Sequence, residues 1–155
     1  MGDPGELTKA LCATPLGLLE VSAKGRAIVR ARFVKRARVS GALNPALKKF
    51  LGEIRRYFQR KQKTFSASFY MEGTPFQKKV WKELSRIPFG RTVSYKDIAR
   101  RIGSPKAVRA VGGAAARNPI VIAVPCHRVI ARDEKLSGYA FGPRRKAWLL
   151  SHERR

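Results

Sequence analysis

The chain has 155 residues, 44% of them hydrophobic, and sets 34 Lys and Arg against 10 Asp and Glu, a formal net charge of +24. That is enough apolar material for one or two small globular domains, and the charge points to a polyanionic partner. Cys12 and Cys126 lie too far apart for a disulfide framework, the two histidines complete no zinc spacing, and no run approaches the ~18 apolar residues of a membrane span or has the form of a leader.

The expectation is therefore a soluble protein, cytoplasmic or nucleoid-associated, with no metal, no cofactor and no membrane partner. Residues 1–73 carry 15 basic and 5 acidic side chains and residues 74–155 carry 19 and 5, so the charge is not a basic tail on a neutral body.

In chain order, residues 9–22 and 26–34 read as two strands around Ala23-Lys24-Gly25. Asn44-Pro45 supplies a capping residue and a first-turn proline. Leu47, Phe50, Leu51, Ile54, Tyr57 and Phe58 then repeat at helical spacing, with Lys48, Lys49, Arg55, Arg56 and Arg60 outside the stripe. Residues 65–70 alternate as a short strand. A boundary falls near Met71-Glu72-Gly73, giving domains 1–73 and 74–155.

Thr74-Pro75 opens a second helix with Phe76, Val80, Trp81 and Leu84 on one face, ending before Ile87-Pro88-Phe89-Gly90. Ser94-Tyr95-Lys96-Asp97 has capping-box form, so a short helix runs to Ile102 and stops at Gly103. Ser104-Pro105 starts another helix at once, which makes a helix-turn-helix. Its second helix offers Gly112, Gly113, Ala114, Ala115 and Ala116 around Arg109. A surface that smooth suits either close approach to a nucleic-acid backbone or tight packing on the core. Lys135 to Pro143 reads as a loop, and residues 144–153 form a last helix.

Cys126 sits in the apolar run Ile122-Ala123-Val124-Pro125-Cys126-His127-Arg128-Val129-Ile130. From spacing alone it is either a reactive thiol or buried core filler. His127 and Arg128 beside it favour the thiolate, which is the nucleophilic form.

Four segments together resemble one family. They are Thr74-Pro75-Phe76-Gln77 through Trp81 to Ile87-Pro88-Phe89-Gly90; Ser94-Tyr95 through the helix-turn-helix; Arg109-Ala110-Val111-Gly112-Gly113-Ala114 to Asn118-Pro119; and Pro125-Cys126-His127-Arg128-Val129 through Gly138-Tyr139 to Lys146, Trp148, Leu149, Leu150 and Glu153. Order, spacing and residue type agree with the O6-alkylguanine-DNA alkyltransferases over nearly all of residues 74–155. Residues 1–73 match only in length and coarse pattern. The resemblance implies an α+β protein, with a small ribonuclease-H-like α/β domain followed by a mostly helical domain carrying the helix-turn-helix.

It further implies one-turnover repair of O6-alkylguanine, and of O4-alkylthymine, in double-stranded DNA by a monomer, several copies of which can line the duplex. Cys126 would accept the alkyl group, His127 would take the thiol proton through a water, and Glu153 would orient His127. Asn118 would hold the turn and Tyr95 would donate to the departing guanine. Val121, Val129, Tyr139, Ala140, Phe141 and Lys146 would line the pocket.

A buried thiol cannot reach a base inside the stack, so the nucleotide must flip out. Arg109 would fill its place, and Ser94, Tyr95, Ser104, Lys106, Ala107, Gly112, Gly113, Ala114 and Arg128 would contact DNA. The chain departs from the family pattern at Val121, where many relatives have proline, and at Ala140-Phe141, where a small pair is usual. Phe141 is expected to narrow the pocket towards methyl and other small adducts. Two other readings compete: a non-catalytic lesion sensor, which would lack the acceptor cysteine, and a cysteine hydrolase, which would need an oxyanion site.

Overall fold

The computed structural model describes residues 5–37, 43–131 and 139–154. It divides into two units, Met1–Glu72 and Gly73–Arg155.

Unit 1 pairs three antiparallel strands in chain order, β1 (Leu7–Thr14), β2 (Gly17–Lys24) and β3 (Ala27–Val34), and follows them with α1 (Pro45–Phe58). The single strand expected over residues 9–22 is two strands. Between them Thr14 Oγ1 donates to the Gly17 carbonyl at 2.7 Å and accepts from the Leu16 amide at 3.1 Å. Gly17 has φ 118°, a conformation that side-chain-bearing residues avoid, and Pro15 has no N–H for a ladder.

The register aligns Ala10, Val21 and Ala31, and beside them Cys12, Leu19 and Phe33, on one face of the sheet. α1 packs on this sheet and contributes buried Leu47, Phe50, Ile54 and Tyr57. As expected, Asn44 caps α1, accepting from the Leu47 amide at 2.8 Å. Residues 65–70 do not form the expected strand but a single bridge, Ile28 to Phe69. Buried Glu53 is the reason: its carboxylate takes the amides of Ser66 at 2.8 Å and Ala67 at 2.9 Å, donors a ladder would need.

Unit 2 runs α2 (Pro75–Leu84), β4 (Val93–Ser94), α3 (Tyr95–Arg101), α4 (Val108–Ala116), a single 3-10 turn (Cys126–Arg128), β5 (Val129–Ile130) and α5 (Pro143–Arg154). Reciprocal capping boxes start α2 (Thr74 with Gln77) and α3 (Ser94 with Asp97). α3 ends at Gly103, whose φ of 77° turns the chain.

The second helix of the motif starts later than its proline suggests. The Ala107 amide reaches the Ser104 carbonyl at 2.9 Å, so Ser104 to Ala107 is a turn, and α4 begins at Val108 without a side-chain cap. Val111, Ala114 and Ala115 face inward, and the Trp81 indole N–H donates to the Ala114 carbonyl at 2.9 Å, seating α4 on α2. Two parallel pairs, Val93 with Val129 and Ser94 with Ile130, tie the start of α3 to the strand leaving Cys126. Among the described residues no helix is long and apolar enough to cross a membrane.

Candidate active site

The Asn118 to Cys126 segment folds into consecutive tight turns. The Ala123 amide bonds the Val121 carbonyl at 2.8 Å around Ile122, whose φ of 73° is a costly conformation for a β-branched residue. The Cys126 amide bonds the Val124 carbonyl at 2.8 Å around Pro125, with φ −83° and ψ 65°. Asn118 clasps the assembly. Its Nδ2 donates to the Val124 carbonyl at 2.6 Å and to Cys126 Sγ at 3.2 Å, while its Oδ1 accepts from the Ile120 amide at 2.9 Å.

Cys126 therefore lies on a 3-10 turn. The turn corrects the expected electrostatics. Burial pushes the Cys126 thiol up, and the Asn118 hydrogen bond and the Lys146 charge only partly offset it, so the resting sulfur is protonated. Arg128 supplies no charge to the thiol. Its Nε donates to Glu153 Oε1 at 2.7 Å, its Nη2 to Oε2 at 3.0 Å and its Nη1 to the Ile87 carbonyl at 2.7 Å. Only 6% of its surface is exposed.

His127 is fully buried, and its Nε2 lies 2.7 Å from Glu153 Oε2. Glu153 also receives the Gly90 amide at 3.3 Å. Burial works to raise the Glu153 pKa, but the hydrogen bonds and charges of His127 and Arg128 prevail and hold it well below the carboxylate range. Burial in turn lowers His127 and keeps it neutral. An ionised Glu153 can only accept, so His127 Nε2 carries the hydrogen and Nδ1 presents a lone pair. Nδ1 is buried with no hydrogen-bond partner among the described residues, and so is the Tyr139 hydroxyl.

Lys146 is wholly buried, with Nζ 2.6 Å from the Val129 carbonyl and 5.9 Å from the Tyr95 ring centre. Burial lowers its pKa and the nearby Cys126 raises it. Burial raises the pKa of both Tyr95 and Tyr139, and Cys126 adds to the shift, so both phenols stay protonated. Phe141 is half-buried, edge-on to Tyr139 with centroids 5.9 Å apart; Ala140 is exposed, and Val121 and Val129 are fully buried. The Gly138 end of that loop lies outside the described residues.

On α4, Arg109, Ala110, Gly113, Ala116 and Arg117 are exposed along one side, and Gly112 lies beneath the Tyr95 ring. Ala114 is turned into the core. Ser104 and Ala107 are partly exposed at the turn before α4, where Lys106 is exposed, and Ser94, the cap of α3, is partly exposed. Arg128 as the clamp on Glu153 is the role that the sequence reading missed. Its signal lay in α5, where Lys146, Leu149, Leu150 and Glu153 share one helical face and the two charges therefore point inward.

Residues 75–155 match the family profile described as the DNA-binding domain of 6-O-methylguanine DNA methyltransferase, and residues 7–69 match its ribonuclease-like domain. The chain belongs to this family. The constitutive methylated-DNA–protein-cysteine methyltransferase of Bacillus subtilis is 51% identical over 111 residues, spanning 71% of this chain and 67% of that one. The crystal structure of the Mycobacterium tuberculosis O6-methylguanine methyltransferase superposes with a TM-score of 0.89 at 35% identity, covering 96% of this chain and 93% of that one. A Mycobacterium tuberculosis OGT in complex with DNA gives a TM-score of 0.85 at 38% identity, with 93% and 91% covered. The α+β architecture expected of the methyltransferase family, a ribonuclease-like domain followed by a DNA-binding domain, is the one found.

Proposed function

We propose that this chain repairs duplex DNA by moving the alkyl group of O6-alkylguanine, and of O4-alkylthymine, irreversibly onto Cys126. The observation that carries the reading is the setting of Cys126: a buried thiol whose sulfur receives the Asn118 amide, next to a neutral His127 held in one tautomer by Glu153. His127 Nδ1, the free lone pair, takes the thiol proton through a bridging water. The sulfur then attacks the alkyl carbon, the S–C bond forms as the C–O6 bond breaks, and the electron pair leaves with guanine. Tyr95, kept protonated, donates a hydrogen bond to the departing base.

Because the resting thiol is protonated, the nucleophile is generated only when a substrate is in place. Lys146 favours the thiolate as it forms, and Val121, Val129, Tyr139, Ala140 and Phe141 wall the pocket. Arg109, on the exposed side of α4, fills the space left by the flipped nucleotide, and Gly112 and Gly113 let the helix approach the duplex, with Ser104, Lys106 and Ala107 at the adjoining turn and Ser94 at the start of α3. The protein acts as a cytoplasmic monomer, with several copies able to line one duplex.

Intact-protein mass after incubation with a short duplex containing O6-methylguanine tests this. The expected result is one added methylene mass, mapped to Cys126 and absent from Cys126→Ala. Binding of the lesion duplex without a mass change would instead favour a sensor that flips damage for other factors.

A further inference from the structure

Unit 1 carries charge that alkyl transfer at Cys126 does not use. On α1, Lys48, Lys49, Arg55 and Arg56 are all exposed, and the buried Leu47, Phe50, Leu51, Ile54 and Tyr57 take the other side of the helix. At 100° per residue the four cations fall within one side, as two pairs about 10 Å apart along the axis. Arg56 is held in place by its Nε bond to Gln62 Oε1 at 2.7 Å.

No carboxylate of the helix forms an ion pair with these cations: its sole carboxylate, Glu53, is 1% exposed and accepts from the Ser66 and Ala67 amides and from Gln62 Nε2 at 2.6 Å, and Gln62 stands between it and Arg56. The buried Glu20 is likewise engaged, by Arg32 at 3.3 Å. Among the described residues Lys48, Lys49 and Arg55 have no ion-pair partner. An exposed helix kept for stability alone places Glu four residues before Lys or Arg, and a heat-stable surface interlaces both signs; α1 does neither.

We propose that this side of α1 is a second DNA-contact surface, which grips the phosphate backbone of duplex outside the lesion site. The inference rests on the reading that the chain works on duplex DNA, and it assigns unit 1 a part in that work. Duplex DNA carries one charge per ~1.7 Å of axis, so a rigid cationic stripe of this length meets several phosphates whatever the sequence. Contact of this kind raises affinity and residence everywhere on DNA without selecting a base.

The test is the salt dependence of binding to an undamaged 40-base-pair duplex, using the full chain. Lys48→Gln/Arg55→Gln removes two charges from the stripe and keeps helix propensity, and melting temperature checks folding. Lys9→Gln/Arg30→Gln removes two charges from the sheet face away from α1. The α1 pair should reduce the slope of log K against log salt by about 2, at ~0.9 per phosphate contact, while the sheet pair stays near the parent. Transfer from an O6-methylguanine duplex at saturating DNA should be unchanged in both.

An unchanged slope in the α1 pair, or equal reductions in both pairs, would overturn the proposal, the second because net charge alone would explain it. Loss of binding to phosphatidylserine vesicles with the DNA slope intact would also overturn it and assign the stripe to a membrane surface. If the parent transferred no alkyl group, the repair reading would fall while the slope comparison still judged the stripe.

Discussion

Glu153 gathers more interactions than any other side chain of the site: His127, two nitrogens of Arg128 and the Gly90 amide all converge on one buried carboxylate. Removing its charge leaves Arg128 buried without a counter-ion, a loss on the order of 3–5 kcal/mol. It also frees His127 to exchange tautomers. Glu153→Gln should therefore lower both the melting temperature and the single-turnover transfer rate, and a variant matching the parent in both would remove Glu153 from the mechanism.

Acid should act at the same place. Burial holds His127 below its ordinary pKa, so the unfolded chain binds a proton there that the folded chain refuses. That contribution is complete above about pH 6.5 and fades as pH falls. Glu153, also depressed, adds stability that is present above about pH 4.3 and is lost on further acidification. Melting temperature should thus decline from pH 7 to pH 4 in the parent, with a shallower first stage in His127→Gln; a profile flat to pH 5 would contradict this assignment. Phe141, edge-on to Tyr139, should bar bulky free nucleobases. Phe141→Gly should then react faster with free O6-benzylguanine and no faster with methylated duplex, and equal benzyl rates would show that the ring does not limit entry.

At the scale of elements, the turn from Asn118 to Cys126 is held by one side chain. Asn118→Ala would strand the buried Ile120 amide, at about 1–3 kcal/mol, leave the Val124 carbonyl with the Cys126 amide alone, and deprive the sulfur of its donor. The expected result is a lower melting temperature together with an alkaline shift in the pH profile of Cys126 alkylation by a small thiol reagent. A lower melting temperature with an unmoved profile would make Asn118 structural only.

Local signals were legible where the chemistry is local. Asn44, Thr74 and Ser94 cap the helices as their hydroxyl, amide and acidic spacings require, because a cap is decided within four residues. What escaped depends on distant partners. The strand expected at 65–70 was lost to Glu53, and Arg128 was claimed by Glu153, 25 positions away. The 3-10 turn at Cys126 was masked by its composition, since the apolar run of Val, Ile and Ala gives no turn signal although Asn118 and Pro125 bend it into turns.

At the scale of the whole molecule, the acceptor sulfur is held by the same contacts that hold unit 2 together. Cys126 is 7% exposed, its sulfur is already engaged by Asn118, and the elements that hold it, α5 through Lys146 and Glu153 and the turn through Asn118, also build the core of unit 2. A methyl on the sulfur adds volume at a buried side chain and weakens the sulfur as an acceptor. Overpacking by one methylene costs about 1–3 kcal/mol. For a unit of this size each kcal/mol moves the transition by roughly 4–8 °C. Calorimetry before and after stoichiometric methylation should therefore show the unit 2 transition falling by at least about 4 °C. Cys126→Ala taken through the same incubation should not move, because it cannot accept the group. A methylated protein melting with the parent would mean that the pocket accommodates its product without strain.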